Sequence, residues 1–159
     1  MTRYNLKTII PGVGINELKF GLQKSDVKSL LGTPDEFEKY SYTNDENNLT
    51  EVWYYDDLGL DVSFDDDDDW KLGLISIESN AYNLFDFIPI GLSIDKIKEQ
   101  LKKHGVNDLI YEDWSNVESP LHELLSSEKL GINFWFDEEK CNEIQCSPLY
   151  IDENTIDWP

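Results

Sequence analysis

The chain has 159 residues, of which 40% are hydrophobic and 13% aromatic, the make-up of a globular domain rather than a disordered one. Its 33 acidic residues against 13 basic ones leave a net charge of −20. That field repels nucleic acid and anionic membrane, and it favours a basic protein partner or simple solubility. No stretch approaches the roughly 20 apolar residues of a membrane helix. The opening MTRYNLKTIIPGVG is too poor in apolar sequence for a signal peptide, so a cytoplasmic location is expected.

In chain order, residues 1–19 read as an extended lead-in, broken by Pro11, Gly12 and Gly14 and anchored by Ile15 and Leu18. A first helix is predicted from about Lys24 to Leu31, where Val27, Leu30 and Leu31 make an i, i+3, i+4 stripe and Gly32-Thr33-Pro34 is a stop signal. Residues 35–49 read as a strand fragment carrying Phe37, Tyr40 and Tyr42, then a loop over Asn44–Asn48. Glu51–Tyr55 is β-branched and aromatic, Asp56-Asp57 make a turn, and Leu58–Phe64 alternates strictly. Leu58, Leu60, Val62 and Phe64 take one face of that strand; Gly59, Asp61 and Ser63 take the other. Asp65–Asp69 reads as a hairpin connection and Trp70–Ser79 as the returning strand, with a change of phase near Gly73 that signals a bulge.

Beyond Asn83, Ser93 is the expected N-cap of a helix over Ile94–Lys103, ended by Gly105. Residues 106–121 read as acidic loop or irregular strand with Tyr111 and Trp114. His122–Leu125, Leu130–Phe136 and Glu143–Cys146 follow as strands. The tail's Tyr150, Ile151, Ile156 and Trp158 are expected to cap the sheet's end. Cys141 and Cys146 lack a neighbouring CxxC or histidine ligand and read as reduced, structural thiols.

Phe20–Gly32 (FGLQKSDVKSLLG) is echoed by Ile90–Leu101 (IGLSIDKIKEQL), and Leu58–Asp65 (LGLDVSFD) by Leu130–Asp137 (LGINFWFD). An echo of this length points to one supersecondary unit used twice. The expected organisation is a first repeat over 1–83, with the lead-in, and a second over 84–159, with the tail, together one compact domain. The expected fold is α+β: two tandem repeats of a helix followed by antiparallel strands, forming one continuous antiparallel sheet with helices on one face.

The motif Gly21, Leu22, Val27, Leu31, Gly32, Pro34, with Gly91, Leu92, Ile97 and Leu101 in the second copy, resembles the repeat of the β-lactamase inhibitor protein family and of the outer-membrane barrel assembly lipoprotein. The second copy lacks the Gly-x-Pro end. The resemblance implies a fold used for binding proteins, with the open face of the sheet as contact surface. By type, an acidic tandem-repeat protein of this size is also similar to immunity proteins of bacterial toxin systems. That likeness implies a basic toxin domain as partner.

No residues point to catalysis. His104 and His122 lie in no triad motif, no glycine loop could cradle phosphate, and no cofactor is implied. The five aspartates Asp65, Asp66, Asp67, Asp68 and Asp69 have neither the turn glycine nor the distal glutamate of a calcium loop, so no metal site is expected. Residues 35–69 instead concentrate 14 acids with a single base, Lys39, interleaved with aromatic rings. The expected partner-binding set is Trp53, Tyr55, Asp56, Asp57, Asp65–Asp69 and Trp135, with the tryptophans and Tyr55 on the open face and the aspartates as charged rim. The leading expectation is thus a non-catalytic protein that neutralises a basic toxin domain by binding it. The alternatives are a structural module whose sheet face pairs with itself as a homodimer, and an enzyme with a carboxylate site.

Overall fold

The computed structural model describes residues 6–41 and 49–159; Tyr42 and the expected loop over Asn44–Asn48 lie outside them. Three short strands open the chain, β1 (Thr8–Ile10), β2 (Gly14–Ile15) and β3 (Leu18–Lys19), followed by helix α1 (Lys24–Leu31). Four strands come next: β4 (Glu36–Ser41), β5 (Leu49–Tyr55), β6 (Leu60–Asp65) and β7 (Leu72–Ile77). After β8 (Asn83–Leu84) and helix α2 (Ile94–Lys103), four more follow: β9 (Ile110–Asp113), β10 (Glu123–Ser127), β11 (Ile132–Asp137) and β12 (Lys140–Cys146). The tail closes as a small hairpin, β13 (Leu149–Tyr150) and β14 (Ile156–Asp157).

The α+β expectation of two helix-and-strand repeats is overturned. The structure is mostly β, 41% strand against 16% helix, with two α-helices and a single large antiparallel sheet. That sheet has eight strands in the order β4-β5-β6-β7-β12-β11-β10-β9. The physical reason lies in the polar segments read as loop or strand fragment. Glu36–Ser41 pairs with β5 over six residues, and Ile110–Asp113 pairs with β10 over four. These pairings spread the sheet far beyond what two short helices can cover.

Local signals act where they stand. Ser93 Oγ accepts the Lys96 amide and caps α2. Gly32 ends α1 at φ 88°, a region closed to most side chains. Gly21 and Gly91 take φ 94° and 99°. Gly21 donates its amide to Leu72 and Gly91 donates to Cys141, while the carbonyls of Leu22 and Leu92 accept in return, so each helix is pinned to the start of a strand. The bulge near Gly73 is real: Ser63 pairs with Leu74 and Phe64 with Leu72, leaving Gly73 looped out.

Alternation decides the layers. Leu60, Val62 and Phe64 on β6 and Ile132, Phe134 and Phe136 on β11 are all buried, and they meet Val27 and Leu31 of α1 and Ile97 and Leu101 of α2 in one core. Both helices therefore lie against the same face of the sheet. Among the described residues no helix is long and apolar enough to cross a membrane.

Candidate functional site on the outer face of the sheet

Register assigns every strand residue to a face. One row crosses all eight strands on the side away from the helices: Glu36, Tyr54, Asp61, Ser76, Gln145, Asn133, Ser126 and Ile110. A neighbouring row reads Glu143, Trp135, Leu124 and Glu112. Glu38 and Asp65 share this face through their pairs Val52 and Thr50, and Glu78 follows one step beyond Ile77. The face thus carries Glu36, Glu38, Asp61, Asp65, Glu78, Glu112, Asp137 and Glu143. Among the described strands, its one lysine is Lys140 at the β11–β12 turn, paired in register with Asp137. Six of the 13 bases sit instead on α1 and α2, behind the sheet.

The carboxylates press on one another. Burial, then the charges of Glu78, Glu143 and Asp56, push the Asp61 carboxyl up to about 6. Burial and Glu78 raise Glu143, against a lowering by His122. Burial, then Glu38 and Asp61, raise Tyr54, whose hydroxyl donates to Glu38. Such a surface is short of positive charge.

Beside the acids lies an aromatic group. The His122 ring stacks on Trp135 (5.0 Å between centroids, 10° between planes), and Trp114 meets Trp135 edge-on at 5.7 Å. Trp135 Nε1 donates to Gln145 Oε1 at 2.8 Å, which fixes the indole on the face. The β13–β14 hairpin stands at the other end, where Leu149, Tyr150 and Asp152 border a groove of about 900 Å³ with Leu74, Ser126, Asn133 and Gln145.

The residues expected to bind a partner are scattered. Trp135 is on the outer face. Trp53 and Tyr55 are not: they pair with Val62 and Leu60 and are buried against the helices, correcting their assignment to the open face. Trp53 packs on Phe64 and donates to Glu51, and Tyr55 Oη donates to the Gly32 carbonyl at the end of α1. Asp56 and Asp57 form a 3-10 turn after β5, and Asp66–Asp68 another after β6. The two acidic runs therefore stand at opposite ends of β6, about 20 Å apart for six residues at ~3.3 Å each, and not in one patch. Asp65 is tied to the Thr50 hydroxyl.

Sequence reading missed Glu78, Glu112 and Glu143 as members of the face, along with Tyr54, Trp114 and His122. For Asp61 the signal was there, in the strict alternation of its strand. The others needed cross-strand register. His104 is unrelated to this face, capping α2 while bonding Asp86 at 2.6 Å and stacking on Phe85. Cys141 and Cys146 are buried free thiols. Among the described residues no group of three or more His, Cys, Asp or Glu is placed to hold a metal ion.

No protein-family model matches the chain, and no curated protein matches it. Among solved structures it is similar to the uncharacterised protein YfeY from Escherichia coli, at 13% identity and a TM-score of 0.52, over 90% of this chain and 99% of that one. It is also similar to an extracellular protein containing a SCP domain from Bacillus anthracis, at 14% identity and a TM-score of 0.46, over 80% of this chain but only 43% of that one. What the chain shares with YfeY is the fold alone.

Proposed function

We propose that this is a non-catalytic binding protein that engages a basic protein domain through the outer face of its sheet, most plainly an immunity protein that occludes a toxin. One observation carries the reading: among the described strands, eight carboxylates share a sheet face whose single lysine sits at its margin, with the helices' lysines turned to the opposite side. Like charges brought together on a partly dry surface cost stability unless a cationic surface offsets them. The same field draws a basic partner in, and Trp135 beside Trp114 supplies the apolar contact that slows its release. Self-association through this face would set acid against acid, which disfavours the homodimer.

Gel filtration and host survival with a basic toxin domain, sought first among the genes that flank this chain's own, test the proposal. A salt-sensitive complex that rescues growth supports it, with association slowed by Asp61→Asn, Glu78→Gln and Glu143→Gln together. A chain that elutes apart from that domain and leaves growth arrested refutes it.

A further inference from the structure

The large sheet ends in two edge strands, β4 and β9. All four residues of β9 are exposed, and Ile110, Tyr111, Trp114, Val117 and Leu121 make a run of exposed apolar side chains in and just after it. Proteins usually blunt such an edge with proline, charged side chains, a bulge or a short strand. The four-residue sequence Ile-Tyr-Glu-Asp has no proline, and its pairing with β10 runs without a register shift. Its two charges, Glu112 and Asp113, are both acidic, so they guard the edge against acidic or like strands and leave it open to a basic one. Hydrogen bonding fixes where its amides point. Trp114 N–H donates to the His122 carbonyl at 2.8 Å, so Glu112 and Ile110, two and four residues earlier, also turn their backbone groups towards β10. The N–H and C=O of Tyr111 and Asp113 consequently point away from the sheet.

We infer that β9 is a docking edge for an extended, lysine- or arginine-bearing segment of the partner, added as a ninth strand on the backbone groups of Tyr111 and Asp113. This rests on the reading of the outer face as a surface for a basic protein, and it names the mode of recognition. Charge selects the occupant. Side chains of the added strand alternate between faces. Those on the outer side lie beside Glu112 and Trp114, where a carboxylate and an indole suit a cation. Those on the helix side lie beside Tyr111, whose ring already has Lys98 Nζ at 5.7 Å, and beside Asp113, so an uncharged side chain fits next to Tyr111 and a further cation next to Asp113. A second copy of this chain would instead bring Glu112 and Asp113 against their own counterparts, a like-charge pairing that opposes self-addition.

The test uses the full chain and a peptide of about ten residues alternating lysine and valine, with a copy N-methylated at alternate positions so that its pairing edge has no donors. Fluorescence anisotropy reads affinity, and NMR amide exchange reads the edge. The unmethylated peptide is expected to bind and to slow exchange of the Tyr111 and Asp113 amides by about tenfold or more. Methylation should weaken binding by about tenfold or more, and so should Tyr111→Pro, which removes an outward N–H while sparing the bonds to β10. If Tyr111→Pro fails to fold, the methylated peptide and the exchange data decide alone. Failure of the lysine–valine peptide to bind overturns the inference. So does equal affinity for both peptides, or saturation without protection at Tyr111 and Asp113; if that binding is still weakened by Glu143→Gln, the outer-face reading survives. Protection of those two amides that rises with protein concentration alone would make a second copy the occupant, and would also overturn it.

Discussion

Asp61→Asn should stabilise the protein at neutral pH and flatten its response to acid. Asp61 is half-buried on β6, in register with Tyr54 on one side and Ser76 on the other. Burial and then the charges of Glu78, Glu143 and Asp56 lift its carboxyl from 3.8 to about 6. The folded state thus holds this proton more tightly than the unfolded chain does. The resulting stabilisation is fully present below about pH 4 and is lost as pH rises through about 6, above which the ionised group opposes folding. The full shift would correspond to about 3 kcal/mol at ~1.4 kcal/mol per tenfold change in proton affinity. Solvent still reaches the carboxyl and screens it, which brings the expected effect to about 1–2 kcal/mol. Asparagine keeps the size and never ionises. Urea unfolding of both proteins near neutral and near acid pH reads the difference, with the other carboxylates common to both. The variant should be the more stable at about pH 7.5 by about 1–2 kcal/mol, and the gap should close towards about pH 4. A gap that does not change with pH, or a variant less stable at neutral pH, would refute the picture of Asp61 as a carboxylate held against repulsion.

Trp53→Ala should cost about 3–5 kcal/mol of stability, because the indole is packed under the helices, whereas Trp135→Ala on the outer face should cost about 1–2 kcal/mol; chemical unfolding that reverses this order would contradict the assignment of faces. Gly59→Ala should lose about 2 kcal/mol or more, since φ is +62° and the new Cβ would lie 2.4 Å from Ser79 Cβ. Gly91→Ala, at φ +99° with open space around it, should lose less in the same assay, having strain but no clash. Burial pushes the Cys141 and Cys146 thiols up to about 12, so alkylation by iodoacetamide should track unfolding. Rapid labelling of the native protein, read by mass spectrometry, would contradict the burial of both thiols.

The two helices were legible from sequence because their signals are local: Val27, Leu30 and Leu31 before Gly32, and Ser93 ahead of Ile97 and Leu101. Strand β6 was legible for the same reason, one parity being wholly apolar. The echo between Phe20–Gly32 and Ile90–Leu101 corresponds to matching glycine turns. Extending it to a fold of helix-and-strand units failed because the strands that widen the sheet, β4 and β9, are edge strands that bury no apolar side chain, their Phe37, Ile110 and Tyr111 being exposed. Their pairing gives no hydrophobic periodicity to read. Strand β5 shows the limit most clearly. Val52 and Trp53 are both buried although they point to opposite faces, so its alternation has two phases and the wrong one was assigned to the core. Only the pairs Trp53–Val62 and Tyr55–Leu60, contacts made across a turn, decide it.

Of the seven strand pairings in the large sheet, six join strands consecutive in the chain, and only β7 with β12 does not. That seam is also short, three residue pairs from Ile75–Cys146 to Ile77–Ile144, against six between β5 and β6. In kinetic terms the hairpins on either side can form from nearby residues, whereas the seam must close a loop running through α2 and half the sheet. Closure of the seam is therefore the natural late event in folding. Trimming Ile77 or Ile144 should then speed unfolding far more than it slows folding, whereas trimming Val62 within the hairpins should divide its effect between the two rates.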